Sequence, residues 1–161
     1  MKIAVVYWSG TGNTEAMAMS VASGAKKVNA NVDVFQSTDF SAASMDEYDA
    51  IAFGCPAMGA EELEDSEFLP MFDSCKAKLN GKKIALFGSY GWGDGEWMRT
   101  WEDECKSLGA NVVNTVICNE APDDEGIANC EALGSSLANW KLTHLFLILS
   151  KKRASALFDF Y

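Results

Sequence analysis

The chain has 161 residues, 48% apolar and 22% charged, which suits one domain with its own core and excludes the composition of a disordered chain. Its 23 acidic and 13 basic residues give a formal net charge of −10. A surface so charged repels nucleic-acid backbones and anionic membrane leaflets, and its excess acid serves either solubility or a partner with a basic docking face.

Ile3 to Trp8 reads as a first strand. Ser9-Gly10-Thr11-Gly12-Asn13-Thr14 follows it directly, and a helix is predicted from about Asn13, with Met17, Val21, Ala25 and Val28 at steps of three and four. Such a strand-loop-helix junction turns backbone N–H groups and a helix dipole toward one point and adds neutral hydroxyl donors. It is an anion cradle, or else a serine-glycine turn with a capping residue. The G-K-[ST] of a nucleoside-triphosphate loop and the G-x-G-x-x-G of a dinucleotide loop are both missing, so the neutral donors suit a monophosphate ester.

Val32 to Phe35 and Ala50 to Phe53 are the second and third strands. Gly54-Cys55-Pro56-Ala57-Met58-Gly59-Ala60-Glu61-Glu62 forms the next loop, before a helix predicted over Ser66 to Leu79. Ile84 to Phe87 is the fourth strand, followed by Gly88-Ser89-Tyr90-Gly91-Trp92-Gly93-Asp94-Gly95 and a helix from Gly95 to Leu108. Val112 to Cys118 is the fifth strand, and Pro122 with Asp123, Asp124 and Glu125 opens a last helix reaching Trp140.

This alternation predicts an α/β domain with a parallel sheet and helices on both faces, whose loops after the strands emerge at one edge. Trp92, flanked by glycines, reads as a stacking platform for a flat ring or as a surface aromatic, and Met58 as a soft partner for the ring's other face. A cradle and two apolar walls on one edge describe a site for a flat heterocycle on a phosphorylated tail.

Cys55, Cys75, Cys105, Cys118 and Cys130 form no C-x-x-C pair and have no histidine companions. That pattern points to reduced, buried thiols, with no metal and no disulfide framework. No nucleophile-base pair is visible, and the single histidine, His144, reads as a surface residue. The opening run is too short and too early for a signal segment, and no apolar stretch approaches a membrane span, so a cytoplasmic location is expected. Beyond Trp140 come an apolar run from Leu145 to Leu149, the basic Lys151-Lys152-Arg153 and an aromatic close at Tyr161. That tail reads as an added strand, a continued helix, a partner patch or a segment foreign to the domain.

The strand leading into Ser9 to Thr14, the Ala57-Met58-Gly59 turn, the run Leu86 to Gly93 and Cys118-Asn119-Glu120-Ala121-Pro122 together resemble the short-chain, clostridial-type flavodoxins. The resemblance runs from Lys2 to about Ala138, and the fifth strand enters Asn119 with no room for the insertion of long-chain members. It implies a three-layer flavodoxin-like fold, a five-stranded parallel sheet of order 2-1-3-4-5 over residues 1–140, and an atypical tail over 141–161.

FMN would then lie at the switch between strands one and three. By this resemblance Ser9, Gly10, Thr11, Gly12, Asn13 and Thr14 hold the 5′-phosphate, and Met58, on the turn Pro56-Ala57-Met58-Gly59, covers the inner ring face. Trp92 beside Gly93 covers the outer face, Ser89, Tyr90 and Gly91 line the isoalloxazine, and Glu61 with the backbone at Asn119 and Glu120 meets the pyrimidine edge. Ala60 stands where the family often has a polar residue, which bears on tuning of the potential rather than on FMN binding. The Met58-Gly59 turn is placed to swing a carbonyl toward flavin N5.

The activity implied is that of a monomeric, low-potential one-electron carrier rather than an enzyme. Its expected partners are ferredoxin-type donors and acceptors with basic docking faces, drawn to exposed Glu62, Glu64, Asp65 and Glu67. The alternative on the same fold is an FMN-dependent NAD(P)H quinone or nitro-group reductase, which needs the outer ring face that Trp92 would occupy.

Overall fold

The computed structural model describes residues 1–139 and Leu149. Its elements in chain order are β1 (Lys2–Tyr7), α1 (Asn13–Lys27), β2 (Asn31–Gln36), β3 (Ala50–Gly54), α2 (Phe68–Cys75), β4 (Lys83–Tyr90), α3 (Glu96–Ser107) and β5 (Asn111–Asn119). A further helix, α4, runs over 124–139.

The strands form one parallel sheet of order β2-β1-β3-β4-β5, the order expected from the sequence. Val5 lies beside Val34 on one side and Ala52 on the other, and Ala52 beside Ala85. Side chains of a strand alternate between faces, so β1 feeds two cores. Ala4 and Val6 join Phe53, Phe68, Phe72, Trp97 and Trp101 under α2 and α3. Ile3, Val5 and Tyr7 join Met17, Val21, Cys130, Leu133 and Leu137 under α1 and α4. The first core is aromatic: Phe53 meets Phe72 edge-on at 5.3 Å, and Trp101 meets Phe68 and Phe72 edge-on at 5.5 and 5.6 Å.

On the other face α1 and α4 cross in backbone contact. A Cβ on Gly24 would stand 1.8 Å from the Glu131 carbonyl oxygen, and one on Gly134 would stand 1.9 Å from that of Val21. Glycine at both positions lets the helix axes approach this closely. Lys27 and Glu131 close the same crossing with an ion pair of 2.6 Å.

Several boundaries differ from expectation. The α-helix expected over Ser66 to Leu79 is α2, Phe68–Cys75, followed by a 3₁₀ turn over Lys76–Lys78. Its start is set by Glu64, which folds back to cap the first turn. Val28 follows the end of α1 rather than extending its stripe, because Asn29 takes a left-handed conformation (φ 65) that closes the helix. Two 3₁₀ segments, Ser37–Asp39 and Ala42–Glu47, are too short to show a period in sequence. All five cysteines are free and buried. Among the described residues no helix is long and apolar enough to cross a membrane, and no three or more His, Cys, Asp or Glu side chains are grouped as metal ligands. Trp140, His144 and the tail expected over 141–161 lie outside the described residues, except Leu149.

Candidate functional site

The sheet sends β2 and β3 to opposite sides of β1, and the chain leaves β1 for α1 on one face and β3 for α2 on the other. The loops part there and leave a crevice at the carboxyl ends of the strands. A cleft of about 460 Å³ occupies it, walled by Trp8, Ser9, Gly10, Thr11, Asn13 and Thr14 after β1, and by Pro56, Ala57 and Met58 after β3. Ser89, Tyr90 and Gly91 from β4 and its loop, with Glu120 and Ala121 after β5, complete the wall.

At one end the first turn of α1 supplies N–H groups at Asn13 and Thr14 that have no acceptor within the helix. Gly12 caps it in a left-handed conformation (φ 94), and its own N–H is donated to Ser9 Oγ at 3.1 Å. The buried Thr14 hydroxyl ties the loop to the sheet: Ser89 N–H donates to Thr14 Oγ1 at 3.3 Å, and the two hydroxyls lie 3.3 Å apart. Among the described residues Glu120 is the one carboxylate in the wall, and no lysine or arginine lines it. The cradle is therefore polar, and its donors are neutral.

The loop after β3 makes a tight turn. Met58 and Glu62 exchange both backbone hydrogen bonds at 2.8 Å, and Gly59 (φ 52) and Glu61 (φ 54) are left-handed within it. The turn expected to swing a carbonyl thus has its Met58 carbonyl held by Glu62 N–H. Cys55 at the base of this loop is an inert thiol, because burial pushes its pKa far up.

Gly12, Gly59, Ala60, Glu61, Trp92, Gly93 and Asn119 do not line the cleft wall. Gly59, Ala60 and Glu61 form the tip of the turn, and Glu61 lies against Gly93, where a Cβ would meet its Oε1 at 2.3 Å. Trp92 stands beside Gly93, 66% exposed, the most exposed large apolar side chain among the described residues. Asn119 donates from Nδ2 to the Tyr90 carbonyl at 3.3 Å, and Glu120 donates its N–H to the same oxygen at 2.8 Å. Two wall residues, Trp8 and Ala121, are not among the site residues expected from the sequence. Trp8 closes the first apolar run directly before the cradle, and that adjacency was the available signal.

Glu64 corrects another expectation. It is buried, not exposed, and accepts hydrogen bonds from Ser66 N–H (2.8 Å), Glu67 N–H (2.9 Å), Phe68 N–H (2.7 Å) and the Ser66 hydroxyl. Glu62, Asp65 and Glu67 remain exposed as expected.

The site fits a phosphorylated flat heterocycle on three observations. The donors of the cradle carry no cationic side chain, Met58 and Trp92 leave apolar surface open on its loops, and Glu61 Oε1 is buried without a hydrogen-bond partner among the described residues. A doubly wound sheet with this site at its switch point defines a mononucleotide-binding α/β protein.

The Flavodoxin family profile matches residues 5–134. The flavodoxin of Megasphaera elsdenii is 47% identical over 136 residues, covering 84% of this chain and 98% of its own. That of Clostridium beijerinckii is 43% identical over 135 residues with the same coverage. The solution structure of the two-electron reduced Megasphaera elsdenii protein superimposes with a TM-score of 0.80 over 85% of this chain and 98% of that one. The chain belongs to the flavodoxin family, in its short-chain, clostridial-type branch. Its cofactor is FMN, and it is an electron-transfer protein rather than an enzyme, so the reductase alternative falls away.

Proposed function

We propose that the protein carries single electrons at low potential between larger redox proteins, with FMN held non-covalently in the cleft between the loops after β1, β3, β4 and β5. The observation that carries this reading is the charge of the site: among the described residues, a neutral-donor cradle with one carboxylate and no cation in the wall. Bound FMN supplies a ring that takes up electrons and protons. In this reading the loop Ser9 to Thr14 holds the phosphate, Met58 and Trp92 cover the ring faces, Ser89 to Gly91 line it, and Glu61 with Asn119 and Glu120 meets its polar edge.

Glu120 in the wall and Glu61 at the turn disfavour extra negative charge on the ring, and among the described residues no lysine or arginine of the wall offsets them. That supports a second electron entering only at low potential. Spectroelectrochemical titration of the FMN-loaded protein is the test. Two separated one-electron steps, the second well below that of free FMN, are expected; a single two-electron step would overturn the reading.

The turn at Gly59 decides how far apart those steps lie. Its left-handed φ leaves open space where a Cβ would stand, so a side chain there costs backbone strain rather than a clash. Gly59→Thr should stiffen the peptide whose carbonyl is free to turn toward the ring. We expect the two potentials to converge by about 1 kcal/mol, the scale of one net hydrogen bond, with FMN affinity of the oxidised protein little changed. Unchanged spacing would place the switch elsewhere.

Partners with basic docking faces, of ferredoxin type, fit the exposed Glu62, Asp65 and Glu67 beside the turn. The rate of electron transfer to such a partner should fall as salt rises from 0.05 to about 0.5 M, because screening shortens the reach of steering. A rate indifferent to salt would remove these carboxylates from docking. A monomer working in the cytoplasm, with residues 1–140 as the functional domain and 141–161 as an appendage, completes the proposal.

A further inference from the structure

Beside the cleft, the ends of β1 and β2 enclose a separate space of about 70 Å³, walled by Tyr7, Ser9, Glu15, Gln36, Ser37 and Glu67, with Trp8 shared between the two. The polar side-chain atoms of those six residues are two carboxylates, three hydroxyls and one amide, with no lysine, arginine or histidine among them. Each carboxylate is oriented by one hydrogen bond. Tyr7 OH donates to Glu15 Oε2 at 2.9 Å, and Trp8 Nε1–H donates to Glu67 Oε2 at 3.0 Å.

Among the described residues those bonds leave the other oxygen of each carboxylate without a protein donor, and neither glutamate is ion-paired. An independent observation points to a ligand. Ser37 is 1% exposed, yet its Oγ has no hydrogen-bond partner among the described residues. A buried hydroxyl left unmet is destabilising, and the cavity that Ser37 lines is the space in which a partner can stand.

We propose that this cavity is a site for a hard divalent cation, Ca²⁺, held by Glu15, Glu67 and the Ser37 hydroxyl with water completing the shell. Oxygen ligands of mixed kind in an irregular array suit Ca²⁺, which tolerates loose geometry, better than Mg²⁺, which demands a near-octahedral shell. Ser9 belongs both to this wall and to the anion cradle. A cation here neutralises two carboxylates on the flank of the cradle, so it strengthens the hold on a phosphate. The binding site stands without the FMN reading, whereas the coupling rests on it.

Calorimetric titration of the FMN-loaded protein with CaCl₂ at constant ionic strength tests the site. One saturable event is expected, weakened about tenfold or more in Glu15→Gln and in Glu67→Gln and about threefold in Ser37→Ala. Asp124→Asn, a change at the start of α4, should leave it alone. No saturable heat, or equal affinity in wild type and Glu67→Gln, overturns the site. Saturating Ca²⁺ should also tighten FMN about fivefold, a typical coupling between adjacent sites, and leave riboflavin, which lacks the phosphate, unmoved. An equal effect on both flavins, or none, overturns the coupling. Failure of FMN to bind at all would count against the cofactor site, and titration of the FMN-free protein would still decide whether Ca²⁺ binds.

Discussion

Gly134→Val is expected to lower the stability of the FMN-free protein by about 3 kcal/mol or more, the upper end of what overpacking costs. The contact it meets is a backbone oxygen, Val21 O at 1.9 Å from the added Cβ, so no rotamer change relieves it. The helices α1 and α4 must part, opening the core of Met17, Val21, Leu133 and Leu137. Gly134→Ala should show the same effect at smaller size, because alanine recovers up to about 1 kcal/mol of helix propensity over glycine. Urea unfolding at unchanged slope measures both. FMN at one hundred times its Kd should return about 2.7 kcal/mol by mass action without altering the helix contact. A midpoint for Gly134→Val within 0.5 kcal/mol of wild type, on the scale of an ordinary surface substitution, would mean that the crossing is looser than its geometry indicates.

Glu64→Ala is expected to cost about 2–4 kcal/mol, because it strands buried donors that a charged acceptor now satisfies. Burial works against ionisation of this carboxyl, but the Ser66 hydroxyl and the N–H groups of Phe68, Glu67 and Ser66 together outweigh it and hold its pKa below the ordinary 4.5. The sign of the pH effect follows. A carboxyl with a depressed pKa in the folded state stabilises fully above its ordinary value, and that stability is lost as pH falls through the folded value. The gap in unfolding free energy between wild type and Glu64→Gln should therefore be widest at neutral pH and narrow below about pH 4.5. A gap independent of pH from 7 to about 3 would show that Glu64 acts by shape and not by charge.

The same substitution reaches the cofactor. Glu64 N–H donates to Cys55 Sγ at 3.4 Å and its carbonyl accepts from Leu69 N–H at 2.9 Å, so it fastens both ends of the segment that carries Met58 and the Gly59 turn. Loss of the cap should speed FMN release more than it slows FMN entry. Rapid-mixing kinetics of flavin fluorescence separate the two rates.

Much of this protein was legible in its sequence because the governing signals are local. Apolar runs alternating with helical periods identified five strands and the face of α1, and the neutral, glycine-bearing stretch Ser9 to Thr14 between a strand and a helix marked the anion cradle. Those features depend on neighbours a few residues away, where covalent geometry and hydrogen-bond periodicity act directly. The sheet order came instead from resemblance, since alternation alone leaves the order of parallel strands open.

What only the tertiary structure decided depends on where distant segments meet. Glu64 looked like one of four exposed acids, yet the path of residues 64–68 turns its carboxylate inward onto the backbone N–H groups of Glu67 and Phe68. The Met58-Gly59 turn reads as free to swing a carbonyl, yet Glu62 N–H holds that of Met58. Trp8 read as the end of a strand but stands in the cleft wall, oriented by Glu67 from 59 residues away. Gly24 and Gly134 carried no signal at all, because the need for glycine arises from another helix's backbone. Burial, pinning and close approach are properties of pairs far apart in the chain, so local patterning determined which elements form and packing determined which of their residues can act.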